Sequence, residues 1–455
     1  MNGNENQQGN NAFLSGPILP PLIRFALPLM LSLLLQALYG GVDLAVVGHY
    51  SPTASVSAVA TGSQAMQVLT GLISGLTMGV TVLVGKAIGA GDRKAAGEVV
   101  AGQIRLFALV AVLLTGIMLA FAPQAAKLLN VPEEAVPETV RYIRICSGGI
   151  VFITAYNGIS GIFRGIGNSR SPFIFVSIAC LVNVVLDILF VGGFNMAASG
   201  AALATVLAQG VSVLFSLNYM RRHPLPFSVK ENFRLGGGSV QGILRVGAPI
   251  ALQDFLTSLS FLIITGIVNT LGLIASAGVG IAEKLFAFLS IVPMAFMSAL
   301  SGFVAQNMGA GNRQRADRSL YLASLISFVF GTGMFLLTFF GGSFLASIFE
   351  NDPQVIQATA EYLRGSGIEY VICSVVFCFL GYFNGREHTA FVMAQGLASS
   401  FLVRIPLSYY LSRLPDTGMF LISLAVPISA LVNFALCLGY LLILKRRERA
   451  RLLDM

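Results

Sequence analysis

GKAIGAGDRKAA (Gly85 to Ala96) reads a second time as AQNMGAGNRQRA (Ala305 to Ala316), 220 residues further on. At the same offset of 220, Phe163-Arg164-Gly165 meets Phe383-Asn384-Gly385, and Pro28 meets Pro249 at 221. Matches at nearly one spacing, each between equivalent apolar runs, mark the chain as a duplication. Each copy lies among apolar runs of about 20 residues or more, the length that crosses a hydrocarbon core. The repeat unit holds six such runs. An even number keeps both copies in one orientation, which makes this a parallel repeat about an axis along the membrane normal.

The runs fall near 24–48, 56–84, 99–122, 142–163, 172–194, 198–219, 246–270, 275–305, 319–341, 364–384, 391–412 and 418–443. Of 455 residues 55% are hydrophobic and only 11% charged, against about 25% charged in soluble chains. Lipid must be the solvent for much of this surface. The expected fold is an all-α membrane protein: twelve transmembrane helices in two six-helix lobes related by a parallel pseudo-two-fold repeat. The expected divisions are a tail at 1–23, an N-lobe at 24–220, a linker at 221–245, a C-lobe at 246–443 and a basic tail at 444–455. The stretch leading up to Arg245 is expected to lie along the membrane surface. Pro28, Pro249, Pro293, Pro406 and Pro427 are expected kinks.

Charge sets the orientation. Lys86, Arg93, Lys94, Arg164, Arg170, Arg221, Arg222, Lys230, Arg234, Arg313, Arg315, Arg318 and Arg386 crowd one set of connections, with Arg24 before the first run and Lys445 to Arg451 after the last. The opposite set holds little beyond Lys127, Arg141, Arg144, Arg364 and Arg413. Positive loops stay inside, so both termini are expected in the cytoplasm of a bacterial cell, with the chain in the inner membrane. The formal charge of +8 is thereby read as topology, and no nucleic-acid partner is expected. Five Cys without a C-x-x-C pair and three scattered His give no zinc site or disulfide framework. The loop GAGDRK is no phosphate loop: its glycines are misplaced relative to Lys86, and Ala87 stands where a hydroxyl is needed. With no nucleotide motif, energy must come from an ion gradient, and no cofactor is expected.

Ionisable residues inside apolar runs carry the chemistry, because a charge in lipid must face a cavity or a partner. Asp43 stands in QALYGGVDLAVVGHY, after Gly40 and Gly41, which admit either a close backbone approach or a bend. Asn183 and Asp187 share a helix face at i, i+4 in LVNVVLDILF. Thr205 and Asn157 add a hydroxyl and an amide. These are oxygen donors suited to a hard monovalent cation. Two carboxylates in one dry pocket share a proton or hold a cation. The same polar groups also suit plain hydrogen bonds between helices. In the second half the candidates are Asp254, Glu283, Lys284, Glu369 and Arg404, as substrate contacts or as ion pairs, Asp254 with Lys284 and Arg404 with Glu369 among them.

Pro28, Gln36 and Asp43, the loop GAGDRKAA, the turn FRGIGNSRSP (Phe163 to Pro172), VNVVLDILF, GAALATVLAQG and QNMGAGNRQRA together resemble the multidrug and toxic compound extrusion (MATE) family over nearly the whole chain. The resemblance implies a two-lobed antiporter that exports organic, cationic or amphipathic compounds in exchange for protons or sodium ions. It implies the DinF-type branch, where groups matching Asp43, Asn157, Asn183, Asp187 and Thr205 form an N-lobe cation site and the protonation of Asp43 bends or straightens the first helix. The other bacterial branch, the NorM type, carries an acid where this chain has Thr257, with Asp254 earlier. Gln36, Tyr39, Asp254, Glu283, Lys284 and Arg404 remain as candidates for substrate contact. A monomer in the bilayer, taking a small-molecule substrate, is expected. A flippase for a lipid-linked precursor is the alternative, and the scarcity of intramembrane cations weighs against it. Neither an enzyme, for want of clustered nucleophiles, nor a passive channel is favoured.

Overall fold

The computed structural model describes residues 12–229, 238–415 and 418–453. The tail through residue 11, the linker from Lys230 through Arg234 to Gly237, residues 416–417 and the last two residues lie outside the described residues. The first repeat runs α1 (Leu19–Tyr50), α2 (Thr53–Gly89), α3 (Arg93–Leu128), α4 (Val136–Gly148), α5 (Ile150–Gly165), α6 (Arg170–Asp187) and α7 (Ala197–Arg222). The second runs α8 (Gly238–Asn269), α9 (Leu273–Leu289), α10 (Ile291–Gly309), α11 (Arg313–Ser347), α12 (Pro353–Ser366), α13 (Ile368–Gly385), α14 (Thr389–Leu397), α15 (Ile405–Ser412), α16 (Met419–Ser423) and α17 (Ala425–Leu453).

Among the described residues, eleven helices, or runs of helix, are long and apolar enough to cross a membrane, and a bent pair, Glu133–Gly148 with Ile150–Gly165 at 48°, brings the number to twelve if it is one span. The copies match in length: Thr53–Gly89 and Leu273–Gly309 both have 37 residues, Arg170–Gly193 and Thr389–Ser412 both 24. They also match in setting. The 37-residue spans are 67% buried over their most apolar stretch, whereas α3 and α11 are 22% buried. The former are interior helices and the latter present their apolar flanks to lipid.

Sequence chemistry explains the breaks. Asp92 caps α3, accepting from the Ala95 N–H at 2.9 Å, and Asp352 caps α12, accepting from the Gln354 N–H at 2.8 Å. Gly91 and Gly311, in the two copies of the GAG loop, have φ of +72° and +76°, a region other residues enter at a cost. The kink expected at Pro293 falls just before it, at Ser290 between α9 and α10. Pro28 and Pro249 sit inside continuous helices. Buried threonines satisfy themselves on their own helix, as Thr77 does on Ile73 O at 2.8 Å.

The chain packs as two compact units. One holds the residues through Ala251 together with Ala305–Asn312; the other holds Leu252–Val304 and everything from Arg313. The first boundary therefore falls inside α8 rather than in the linker. Gly75 and Gly79 of α2 explain why: a Cβ on Gly75 would lie 2.4 Å from Ala251 Cα, and one on Gly79 2.8 Å from Gly247 N. Small residues spaced four apart on both helices let the backbones touch. Ile243 and Val246 are buried in the first unit, so the segment before residue 246 is the opening of a helix packed on α2 and not the surface-lying stretch expected from the sequence. In the second unit a Cβ on Gly331 would fall 2.6 Å from Tyr370 O and one on Gly381 2.5 Å from Met297 O, which seats α11 and α10 against α13.

Candidate functional site

Asp43, two turns before the end of α1, is 4% exposed, and Asn183 and Asp187, one turn apart on α6, are fully buried. With its amide nitrogen turned toward the acids, Asn183 donates to Asp43 Oδ1 at 2.9 Å and to Asp187 Oδ2 at 3.2 Å. The Thr205 hydroxyl, on α7, lies 3.3 Å from Asp43 Oδ2 and 2.9 Å from Ala201 O, to which it donates. The two carboxyl groups come within hydrogen-bonding reach of each other. Asp187 Oδ1 is buried with no protein partner. No lysine or arginine is among the described groups that act on either carboxyl. Two unit charges about 4 Å apart repel by about 4 kcal/mol at an effective dielectric constant of about 20. The pair is therefore built for one negative charge at most, unless a cation joins it.

Local structure supports this placement. Gly40 and Gly41 precede Asp43, and an added Cβ would find nothing within 4 Å at either. Close helix approach is thus not their purpose, which leaves a bend in α1 as the reading that fits. Ser32 donates to Pro28 O at 2.8 Å, a side-chain bond that tends to bend a helix one turn past the proline. Asp187 ends the regular part of α6, and a π-helical turn, Ile188–Gly193, follows at once. Such turns gather at functional sites.

Tyr39, one turn before Asp43, brings its buried hydroxyl beside Thr205 and Asp43. Gln36 is exposed on the same helix. Asn157 donates its amide N–H to Ile153 O, in its own helix, at 2.9 Å, and among the described residues no hydrogen bond ties it to the carboxyls. The helix carbonyl one turn back is its nearest acceptor and wins. Tyr142 and Cys146 of α4, which the sequence reading did not single out for this site, reach Asp43 electrostatically. Tyr142 is pressed on Gly62, where a Cβ would fall 2.4 Å from its ring. The signal was present in the duplication, since Tyr142 recurs as Tyr362 at the 220-residue offset.

The second unit carries no copy of this cluster. Arg404 ends its π-helical turn, Ala398–Arg404, and lies 4.7 Å above the Phe261 ring. It stands within electrostatic reach of Glu283, Glu369 and Tyr362. Its expected ion pair with Glu369 is not formed among the described residues. Glu369 instead accepts from the Cys373 thiol at 3.7 Å, and Glu283 Oε1 is buried without a protein partner. Asp254 and Lys284 are both exposed and unpaired with each other. Glu283 and Lys284 face different surroundings, as adjacent residues on a helix must. The ion pairs of this unit lie at its basic end, where Arg386 meets Glu448 and, at 3.8 Å, Asp317, and Lys445 meets Asp317 at 3.7 Å. No group of three His, Cys, Asp or Glu among the described residues suits a bound metal.

The sequence profile of the MatE family matches residues 28–189 and again 249–410, two stretches displaced by 221 residues. The probable multidrug resistance protein YpnP of Bacillus subtilis is 28% identical over 416 residues, 90% of this chain and 89% of that protein. An FAD transporter of Shewanella oneidensis is 26% identical over 442 residues, covering 94% of this chain and 95% of its own length. The crystal structure of a MATE protein in complex with MaD3S superposes with a TM-score of 0.89 at 20% identity, over 96% of this chain and 99% of that one.

Proposed function

The chain belongs to the MatE family, as a multi-pass membrane transporter and not an enzyme, and from that premise we propose that it exports organic, cationic or amphipathic compounds in exchange for protons or sodium ions. The observation that carries the reading is the pair Asp43 and Asp187, buried together between helices with Asn183 within hydrogen-bonding distance of both. An ion bound there changes the charge of a buried site by one unit, and a charge uncompensated in that setting costs several kcal/mol. The site is thus worth occupying in one state of the protein and emptying in another, which is what alternating access requires.

The proton reading takes Asn183 with Nδ2 turned to the acids, where it supplies donors and one shared proton completes the set; with the amide oxygen turned to them the same side chain would suit sodium. The Asp43, Asn183, Asp187 and Thr205 grouping supports assignment to the DinF-type branch. Asp254, exposed in the middle of a span, supplies a counter-charge for cationic cargo, since a carboxylate facing lipid is excluded on cost. The basic loops orient both termini to the cytoplasm of a bacterial inner membrane, and each chain works as a monomer. A flippase role is disfavoured by the few cations within the spans, Lys284 and Arg404 chief among them.

The test is transport by the purified protein in liposomes, with proton and sodium gradients imposed separately against a panel of organic cations. The reading expects uphill movement of cargo with the proton gradient. Movement with neither gradient rejects it.

A further inference from the structure

At the end of the first unit that bears the basic loops, the two copies of the GAG loop meet backbone to backbone. A Cβ on Gly89 would fall 1.9 Å from Gln306 O, and one on Gly309 2.0 Å from Lys86 O. Gly89 and Gly309, and Lys86 and Gln306, are repeat equivalents at 220 residues, so the contact is reciprocal. Behind it Ala305 packs with Val82 and Val246, all within 1% of full burial. Backbone contact between small residues of this kind closes tightly.

The second copy supplies polar contacts of its own. Gln306 donates to Gly165 O at 2.8 Å, Asn307 to Phe13 O at 3.2 Å and Asn312 to Leu14 O at 3.3 Å. The first-repeat equivalents are Lys86, Ala87 and Asp92. Asp92 has no N–H to give and caps its own helix instead, on Ala95 N. At three matched positions, then, the second loop carries carboxamides, and each reaches a backbone carbonyl of the first unit. Two of those carbonyls belong to the segment ahead of α1. Phe13, 4% exposed, plugs in edge-on against Phe25 at 5.2 Å and near Gly167, where a Cβ would lie 3.6 Å from its ring. Duplication alone would leave the two loops chemically alike. Their divergence into amides on one side and a clasped N-terminal segment on the other calls for a purpose of its own.

We propose that this junction is a latch that parts once in each transport cycle, and that Phe13–Leu14 is the strap whose release lets residues 305–312 leave α2. The inference rests on the antiport reading for its place in a cycle, but the latch itself can be read without transport. The described contacts of the strap are neutral hydrogen bonds to backbone carbonyls and one buried ring, and such contacts form and break without a covalent step.

Two measurements test it on the full chain. Ala305→Cys, in a background with the five native cysteines replaced, is labelled with a membrane-impermeant maleimide from the basic-loop side. Phe13→Ala and, separately, the milder Asn312→Ala are expected to raise the labelling rate at least fivefold. Equal rates in all three backgrounds overturn the strap. In the second measurement Leu14→Cys and Asn312→Cys are joined by a short bis-methanethiosulfonate linker, with each single-cysteine protein as control. Gradient-driven flux is expected to fall at least tenfold on cross-linking and to return on reduction. Undiminished flux at near-complete cross-linking overturns the latch. An uncross-linked protein that carries no gradient-driven flux counts against the antiport reading, and the labelling rates then decide the latch alone.

Discussion

The side-chain amide of Asn183, on α6, lies 2.9 Å from Asp43 Oδ1, on α1, and 3.2 Å from Asp187 Oδ2, and it donates to both when its nitrogen is turned toward them. One neutral side chain thus ties together two acids from different helices. Hydrogen bonds to charged groups contribute about 1.5–3 kcal/mol each. Asn183→Leu, which keeps the branched heavy-atom skeleton and removes the donors, is expected to slow gradient-driven efflux by about 10- to 100-fold, on the scale of about 1.4 kcal/mol per decade. Initial rates in liposomes measure this. A rate within twofold of the parent would remove Asn183 from the scheme.

Thr205 contributes a longer bond, 3.3 Å to Asp43 Oδ2. Thr205→Ser keeps the hydroxyl and should transport within about threefold of the parent, whereas Thr205→Val loses a bond of about 1 kcal/mol and should cost about fivefold. The contrast between the two variants, rather than either alone, reports the hydroxyl.

Gly40 and Gly41 have no neighbour that an added methyl would strike. Alanine at either position should leave stability unchanged or raise it, by up to about 1 kcal/mol from helix propensity. If α1 must bend there, transport falls severalfold in the same proteins. Melting temperature and flux measured side by side separate a stiffened hinge from a damaged fold. Gly89→Ala makes the opposite case, because its Cβ would lie 1.9 Å from Gln306 O and the expected result is a loss of about 1–3 kcal/mol.

The duplicated loops made the helix number and the parallel repeat legible, because a fixed 220-residue offset forces equal numbers of crossings in each copy. Asp43, Asn183, Asp187 and Thr205 were legible for a different reason: charged and amide groups in apolar runs must find one another. The bond of Asn157 to its own helix, 2.9 Å to Ile153 O, was not legible, because composition says nothing about which acceptor a side chain takes. Tyr142 was missed because an aromatic in a membrane helix is ordinarily packing. The seating of α8 on α2 depended on Gly75, Gly79 and Gly247 falling opposite small residues across some 170 positions, a register that only three dimensions show.

His388 lies between α13 and α14, outside the spans, with Nδ1 3.1 Å from the Tyr440 hydroxyl. Burial, and after it the Arg386 charge, lowers its pKa below the ordinary 6.5. The folded form therefore prefers the neutral ring. Its contribution to stability is present above about pH 6.5 and is lost as the pH falls through that value toward the folded pKa. Thermal denaturation between pH 8 and pH 5 should show a fall in melting temperature that His388→Gln reduces. An identical pH profile in the variant would assign the fall to other groups.

The account turns on whether the buried acid pair couples cargo to an ion. Asp43→Asn removes the ionisable group while keeping its shape and hydrogen-bonding capacity, so the protein should insert, fold and bind cargo as before. Uphill movement of an organic cation driven by an imposed proton gradient, measured against gradient-free cargo exchange in the same liposomes, is the direct test. Gradient-driven transport is predicted to fall by 100-fold or more, about 2.7 kcal/mol of coupling, while cargo binding persists. An Asp43→Asn protein that still concentrates cargo at the parent's rate would contradict the account.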